Sequence, residues 1–565
     1  MTIYIHNVIA KLLFTLLLLL PVAGFSQDIG IYCSSSTTWN GTNWSNGQPS
    51  ASKDVIFNGN YTFNGETLNA CSLFVLDGAN VLFTEKANAV IVHNVTVAQT
   101  ATLIFESDSN LIQTLGDKNT GKVTVQRKSS KVKKDDFTLW SSPVIGQTLL
   151  GFSPQTLTNR FYTYNSTENI YNTVQTPATT TFEAGKGYLI RIGEDHSESP
   201  EKWEATFTGV PNTGEVTIPL SYVNDTKAYN AVGNPYPSPI SVTRFLNDNS
   251  NVIDGTLWLW RKTDDPAKSS YAALTKLGYQ ANTPYDSNNS IQNPYLLDAE
   301  GIINTGQGFV VKAKVAKDLV FNNTIRKAVN TDIFFRTATE SDPVTVSRFW
   351  LNVTANNVFS QTLIGYTPEA TIDFDYGMDG ESIMDGGITF YSIAAGKNLA
   401  IQARPAFTAS DVVRMGFKAQ SAGTFTVALD HMDGLFAQGQ DIYLKDKTTG
   451  AIHDLTNGSY SFTSAAGTFE DRFTIVYTQT LGTNNPGNEF NEVIVYSSNN
   501  KLKIESTEQI QSVVVYDLLG RTLFENNNIN DVTFASDQIN TKQVIIAKIT
   551  LSNTSVISKK IIPQL

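Results

Sequence analysis

LFVLDGANVLF at residues 73–83, AVIVHNVTV at 89–97 and ATLIFESDSNLIQ at 101–113 are short β-branched or aliphatic runs separated by Asn, Asp or Gly. Each is a strand too short to bury its own face, and the runs return about every eight to ten residues with no helix pattern between them. That rhythm fits the stacked coils of a β-solenoid or the strands of a sandwich. The solenoid is the better fit, because Val75, Val81, Val90, Val95, Leu103 and Leu111 can form inward ladders with Asn80, Asn88, Asn94 and Asn110 at turns. Upstream, WNGTNWSNGQP at 39–49 is rich in turn residues. Its Trp39 and Trp44 are placed either to plug the solenoid end, which must be covered, or to stack on a sugar.

Working outward, 565 residues exceed one core, and a prior of roughly one domain per 150 residues suggests about three or four. Lys and Arg number 41 against 52 Asp and Glu, a net charge of −11, which argues against a chain built to neutralise phosphates. Nucleic acid is therefore not an expected partner. Residues 1–26 read as a signal peptide, with an apolar run at 12–20, Pro21 and a small-x-small site at Gly24-Phe25-Ser26. No later segment is apolar enough to cross a bilayer as a helix, so the expected location is extracellular or on the cell surface, reached through the periplasm. The only cysteines, Cys33 and Cys71, follow the expected cut and so meet an oxidising compartment. A single disulfide between them is the natural reading, the alternative being two unpaired buried thiols; their spacing excludes CxxC redox or zinc chemistry.

The expected organisation is a solenoid-like domain at 27–130, a duplicated β-rich region at 131–335, a β-sandwich module at 336–481, a linker at 482–489 and a small C-terminal β-sandwich at 490–565, all-β throughout. The duplication rests on landmarks in matching order. FTLWSSPV (137–144), RFYTYN (160–165) and AGKGYLIRI (184–192) are paralleled by AVGNPYPSPI (231–240), LWLWRK (257–262) and TGQGFVVKA (305–313). The last pair is farther apart than the first, which places an insertion in the second copy, within 271–296 and its loop-forming Asn, Pro and Ser. A Gly-x-Gly ahead of an aromatic strand is most simply a turn with positive φ, and no helix pattern follows it to cradle a phosphate.

Catalytic patterns are scarce. The five histidines form no HExxH or HxH pair, no GxSxG elbow occurs, and Ser130-x-x-Lys133 lies in a basic run without helix periodicity. Carboxylate pairs for glycoside hydrolysis are a tertiary property that sequence does not reveal. The best ligand candidate is the run 373–381, where Asp373, Asp375 and Asp379 in a Gly-bearing loop could converge on Ca²⁺, or could simply satisfy turn amides. No other cofactor is expected. The leading expectation is a non-catalytic binding or structural protein. The alternative is a carbohydrate-binding or carbohydrate-active protein, with Trp258, Trp260 and Tyr271 as an exposed platform for glycans.

The tail carries a more specific signal: IQSVVVYDLLGRTLFE (510–525), QVIIAKITLSN (543–553) and VISKKII (556–562). It resembles the C-terminal sorting domain of type IX secretion cargo, in which a VYDLLG-like turn precedes paired final strands and a basic-aliphatic close. The residues that match are Tyr516, Asp517 and Gly520 in the turn, and Lys559 and Lys560 in the close. A Gly-x-Tyr before the penultimate strand is missing, as in the type C form, which leaves a lipid anchor after cleavage open. Residues 348–479, with LIGYTPEATIDFDYGMDG, IQARPAF and RFTIVY, are also similar to a module common in such adhesin-like surface cargo. The resemblance implies a route, a partner in the type IX secretion machinery and a location, with glycans or other surface proteins as candidate ligands; it implies no reaction.

Free-thiol labelling of the unreduced, denatured protein is expected to detect no reactive thiol. Two labelled cysteines would end the disulfide assignment.

Overall fold

The computed structural model describes residues 33–260, 271–282, 301–328, 346–478 except 357, 493–539 except 499 and 500, and 543–561 except 553 and 554. The expected signal peptide, the linker and much of the 271–296 insertion lie outside these residues. The fold is all-β; the described residues add only three short α-helices and one 3-10 turn at Asn323–Ile325.

Residues 33–113 wind into parallel coils of three short strands each, and the coils repeat every 22 residues where Asn110 stacks on Asn88 and Thr102 on Asn80. One face stacks Ser35–Trp39, Lys53–Phe57, Leu73–Val75 and Val95–Val97; the second stacks Tyr61–Phe63, Asn80–Phe83 and Thr102–Phe105; the third stacks Thr67–Ala70, Asn88–Ile91 and Asn110–Gln113. Strand alternation turns every second side chain inward, so Val75, Val81, Val95, Leu103 and Leu111 are buried as the pattern predicts. Val90 is the exception: its strand buries Ala89 and Ile91 and turns Val90 outward. Inside, Phe63, Phe83 and Phe105 stack at 4.3 and 4.7 Å between ring centres. The buried Asn110 amide donates to Asn88 Oδ1 at 3.0 Å, which satisfies polar groups that burial would otherwise penalise.

Both solenoid ends are covered. At the first coil Trp39 and Trp44 lie 5.4 Å apart, meet Tyr61 and Phe57, and Trp39 Nε1 donates to Asn60 O at 2.9 Å. These rings cap the coil. At the other end Val123–Val132 pairs in parallel with Thr102–Phe105 and then antiparallel with Glu201–Pro211, carrying the ladder into the next region. Cys33 and Cys71 are disulfide-bonded, with Cα atoms 5.6 Å apart, and pin the first strand to the coil.

The duplication emerges as two antiparallel sheets with the same strand order. The first runs Phe137–Trp140, Tyr188–Arg191, Phe161–Asn165, Ile170–Thr173; the second runs Tyr229–Gly233, Gly308–Ala313, Ile253–Trp260, Tyr271–Leu274 and adds Tyr279–Gln280. Each copy also has a short helix capped by a hydroxyl, Thr148 before Leu149–Phe152 and Ser241 before Val242–Asp248. The copies grip each other reciprocally: Ser141 N–H donates to Gly306 O at 3.0 Å, and Gly233 N–H donates to Gly185 O at 2.8 Å. This explains the two Gly-x-Gly motifs more fully than a turn does. Gly185 and Gly306 have positive φ, +79° and +76°. Gly187 and Gly308 do not; a Cβ on Gly187 would sit 2.8 Å from Val232 O of the other copy, and one on Gly308 would sit 2.7 Å from Leu139 Cγ.

Residues 347–476 form one eleven-stranded sheet, antiparallel except where Val358–Tyr366 runs parallel to Lys397–Arg404. The alternation that suggested a sandwich is satisfied by one continuous ladder folded over itself. Phe462, on the edge strand Tyr460–Ser464, meets Phe417 and Phe473, from strands near the opposite end, at 5.1 and 4.8 Å. A shared core of Leu139, Leu189, Trp258, Val310, Trp350, Leu363 and Ile401 joins this sheet to both copies of the duplication. The tail is a separate six-stranded sheet built on the 17-residue strand Lys501–Asp517, with its own core including Ile504, Val513, Val515, Ile545 and Ile549.

Gly308→Ala is expected to lower stability by about 1–3 kcal/mol through overpacking against Leu139. A urea midpoint equal to that of the parent protein would remove the proposed role of this glycine.

Candidate functional site

The acidic run at 373–381 leaves the parallel pair and crosses toward the duplicated region. Its carboxylates go to different partners. Asp373 is ion-paired with Lys503 of the tail. Asp375 accepts from Thr371 N–H at 2.6 Å and from Thr371 Oγ1 at 3.0 Å. Asp379, 1% exposed, accepts from Asp375 N–H at 2.7 Å and from Ala403 N–H at 2.6 Å, and burial pushes its carboxyl up to about 7. Among the described residues the three do not come together as a ligand cluster. A cation here would compete with Lys503 and with amides already served. The loop acts as a fastener: Tyr376 donates to Leu246 O at 2.9 Å, with Lys314 5.3 Å from the centre of its ring.

Beside it lies a charge cluster that no sequence motif announces. Glu381 is bridged by Lys312 at 2.7 Å and by Lys397. These two ammonium groups hold the Glu381 carboxyl below its ordinary value against the opposing effect of burial. Nearby, Asp254 accepts from Thr256 N–H at 3.0 Å through Oδ1, while its Oδ2 is sealed from solvent with no hydrogen-bond partner among the described residues. Desolvation raises this carboxyl to about 7, with Glu381 adding to the rise. Asp254 is an isolated acid in an apolar strand, so its environment is purely tertiary.

The aromatic residues do not form an exposed platform. Trp258 is 1% exposed. Trp260 Nε1 donates to Phe137 O at 3.1 Å, and the Tyr271 and Tyr171 hydroxyls lie 3.1 Å apart. The cavity beside them, lined by Trp258, Gln280, Gln361, Thr389 and Glu381, has about 20 Å³ of room for water centres, too little for a sugar ring. Trp258 Nε1 and Thr389 Oγ1 have no hydrogen-bond partner among the described residues, which suits a buried water. Ser130 lies on the strand Val123–Val132 rather than on a helix, so the Ser130/Lys133 spacing has none of the geometry of a nucleophile and its base.

The tail residues are arranged with more purpose. Asp517 accepts from Leu519 N–H and Arg521 N–H, both at 2.9 Å, and from Arg521 Nε at 2.6 Å. These donors, led by the Arg521 amide, hold its carboxyl below the ordinary value. Gly520 supplies the positive φ, +81°, that closes the turn. The turn holds Leu518 and Leu519 outward, 62% and 81% exposed. Lys559 and Lys560 are exposed on the final strand Val556–Ile561, which is separated from Lys501–Asp517 by the strand Ile545–Leu551.

The Asp254 environment sets a pH dependence. An acid with a raised folded-state value contributes stability that is complete below the unfolded value, near 3.8, and is lost as pH rises through about 7. Asp254→Asn keeps an acceptor for Thr256 and removes the titration. Between pH 5 and 8 its urea midpoint should therefore gain on that of the parent protein; parallel profiles would show that Asp254 does not titrate there.

No curated protein matches the chain. One solved structure with some likeness is described as "Biofilm associated protein - BSP domain"; at 9% identity over 78% of this chain and 96% of that one, with a TM-score of 0.13, it carries no argument. Residues 481–563 match a family model described as a domain of unknown function (DUF8694). A second model, also described as a domain of unknown function, spans residues 32–477 and takes in the solenoid, both copies of the duplication and the folded-over sheet, so the chain belongs to the DUF8693 family.

Proposed function

We propose that this chain is an exported, non-catalytic surface protein. Residues 32–477 form an adhesin-like body, and residues 490–565 are a sorting domain read by type IX secretion machinery after a signal peptide at 1–26 has delivered the chain to the periplasm. The observation that carries the reading is the tail's construction. It has its own hydrophobic core and holds two leucines in water on a turn braced by Asp517 and Arg521. Two adjacent leucines presented together on a braced turn are a compact apolar contact for another molecule to read. The body supports a binding role more readily than catalysis, since its polar clusters are internal fasteners and its aromatic residues are structural.

Deleting residues 490–565 is expected to leave a folded body retained in the periplasm. Fusing the same stretch to a foreign periplasmic protein should carry that passenger out of cells with the native machinery. Normal amounts of the truncated protein in the medium or on the surface would refute the sorting role.

A further inference from the structure

The solenoid period brings together residues that are distant in sequence. His93 sits one coil beyond Cys71, and its amide donates to Cys71 O at 2.8 Å. Cys33 reaches the same corner through the disulfide. The two sulfurs and a ring nitrogen of His93 lie within 4.8 Å of one another. Asp117 Oδ2 is 2.5 Å from His93 Nδ1, a carboxylate contact of the kind that fixes the tautomer and orientation of a ligating imidazole. Cys71 is fully buried, whereas Cys33 is partly buried. Sequence spacing argued against zinc because it counts residues along the chain; the coil makes neighbours of residues one period apart.

We propose that this corner is a staple with two chemical forms: a disulfide when oxidised and, once reduced, a site for Zn²⁺ held by Cys33, Cys71 and His93. In the reduction, a small dithiol attacks one sulfur through its thiolate, the S–S bond breaks, and the reagent closes to its own disulfide. Two electrons and two protons thus pass to Cys33 and Cys71. Zn²⁺ then displaces the two thiol protons, and the dication is neutralised by two thiolates, which removes the cost of a buried thiolate at Cys71. Two thiolates and an imidazole are soft and borderline donors that suit Zn²⁺ rather than Ca²⁺ or Mg²⁺, and a fourth position is left for solvent. Either form fastens Ser35–Trp39 and the Trp39/Trp44 cap to the coil.

Co²⁺ serves as the spectroscopic probe for the test. The purified full chain, reduced, freed of reductant and kept without oxygen, should bind one equivalent of Co²⁺ with a sulfur-to-cobalt charge-transfer band that Zn²⁺ abolishes, whereas oxidised protein should give no band. Cys33→Ser should remove most of the band. Asp117→Asn, which alters a half-exposed residue outside the ligand set, should weaken apparent affinity roughly tenfold or more, as should His93→Ala. Circular dichroism of the same samples reports the fold. Absence of the band in reduced parent protein, folded or not, would overturn the proposal. Affinity unchanged in both Asp117→Asn and His93→Ala would overturn it as well, since the cation would then be bound by thiols alone.

Discussion

A stack of parallel strands is stable inside and vulnerable at its ends, where a full row of backbone donors and acceptors has no further coil to meet. Much of this protein answers that constraint. The first coil is closed by the Trp39/Trp44 cluster and the disulfide. The last is closed in two ways. One face continues as the long strand Val123–Val132, which serves the solenoid on one side and the duplicated region on the other. Another is met by the second copy: Leu111 N–H donates to Pro237 O at 2.8 Å, and the Arg326 guanidinium donates to Leu111 O. Arg326 is deeply buried over Tyr236, with Ser238 and Asn323 as neutral acceptors, and desolvation lowers it to about 9. Keeping a cation there is costly, and its geometry at the solenoid edge gives the reason it is kept.

From this junction outward the body behaves as one unit. The two copies hydrogen-bond to each other through their Gly-x-Gly turns, and the folded-over sheet shares an apolar core with both. The family match over residues 32–477 follows the same outline, while the tail, with its separate core, corresponds to its own family model. The solenoid, the duplicated strands and the folded-over sheet are thus parts of one continuous body, and the strand Val123–Val132 runs straight through position 130.

What could be read from the sequence was whatever repeats. The coil rhythm gave the ladders around Val81 and Leu103, and the matching landmarks gave the duplication, because both are periodic statements about one chain. Val90 was misplaced because Ala89 and Ile91 claim the interior of a four-residue strand and a valine looks no different from either side. The second glycine of each Gly-x-Gly, the sealed Asp254 and the dispersal of Asp373, Asp375 and Asp379 all depend on atoms contributed by other copies or sheets. Local propensity contains no record of such neighbours. The Cys33–Cys71–His93 corner was hidden for a related reason: coil geometry, rather than distance along the chain, decides which side chains meet.

The strand Lys501–Asp517 carries one more implication. It pairs with four others, Val493–Ser498, Thr522–Asn526, Asp531–Ser536 and Ile545–Leu551, and the last of these also supports the terminal strand Val556–Ile561. Its second half meets Thr522–Asn526 at once, across the turn at 517–521, but its other edge waits for Ile545–Leu551, which comes later in the chain. Closing such long-range pairings is slow compared with hairpin formation, because loop entropy is lost before contacts repay it. Until that strand docks, the hairpin formed by Lys501–Asp517 and Thr522–Asn526 keeps one edge open, and that edge is where chaperones and proteases would find the tail.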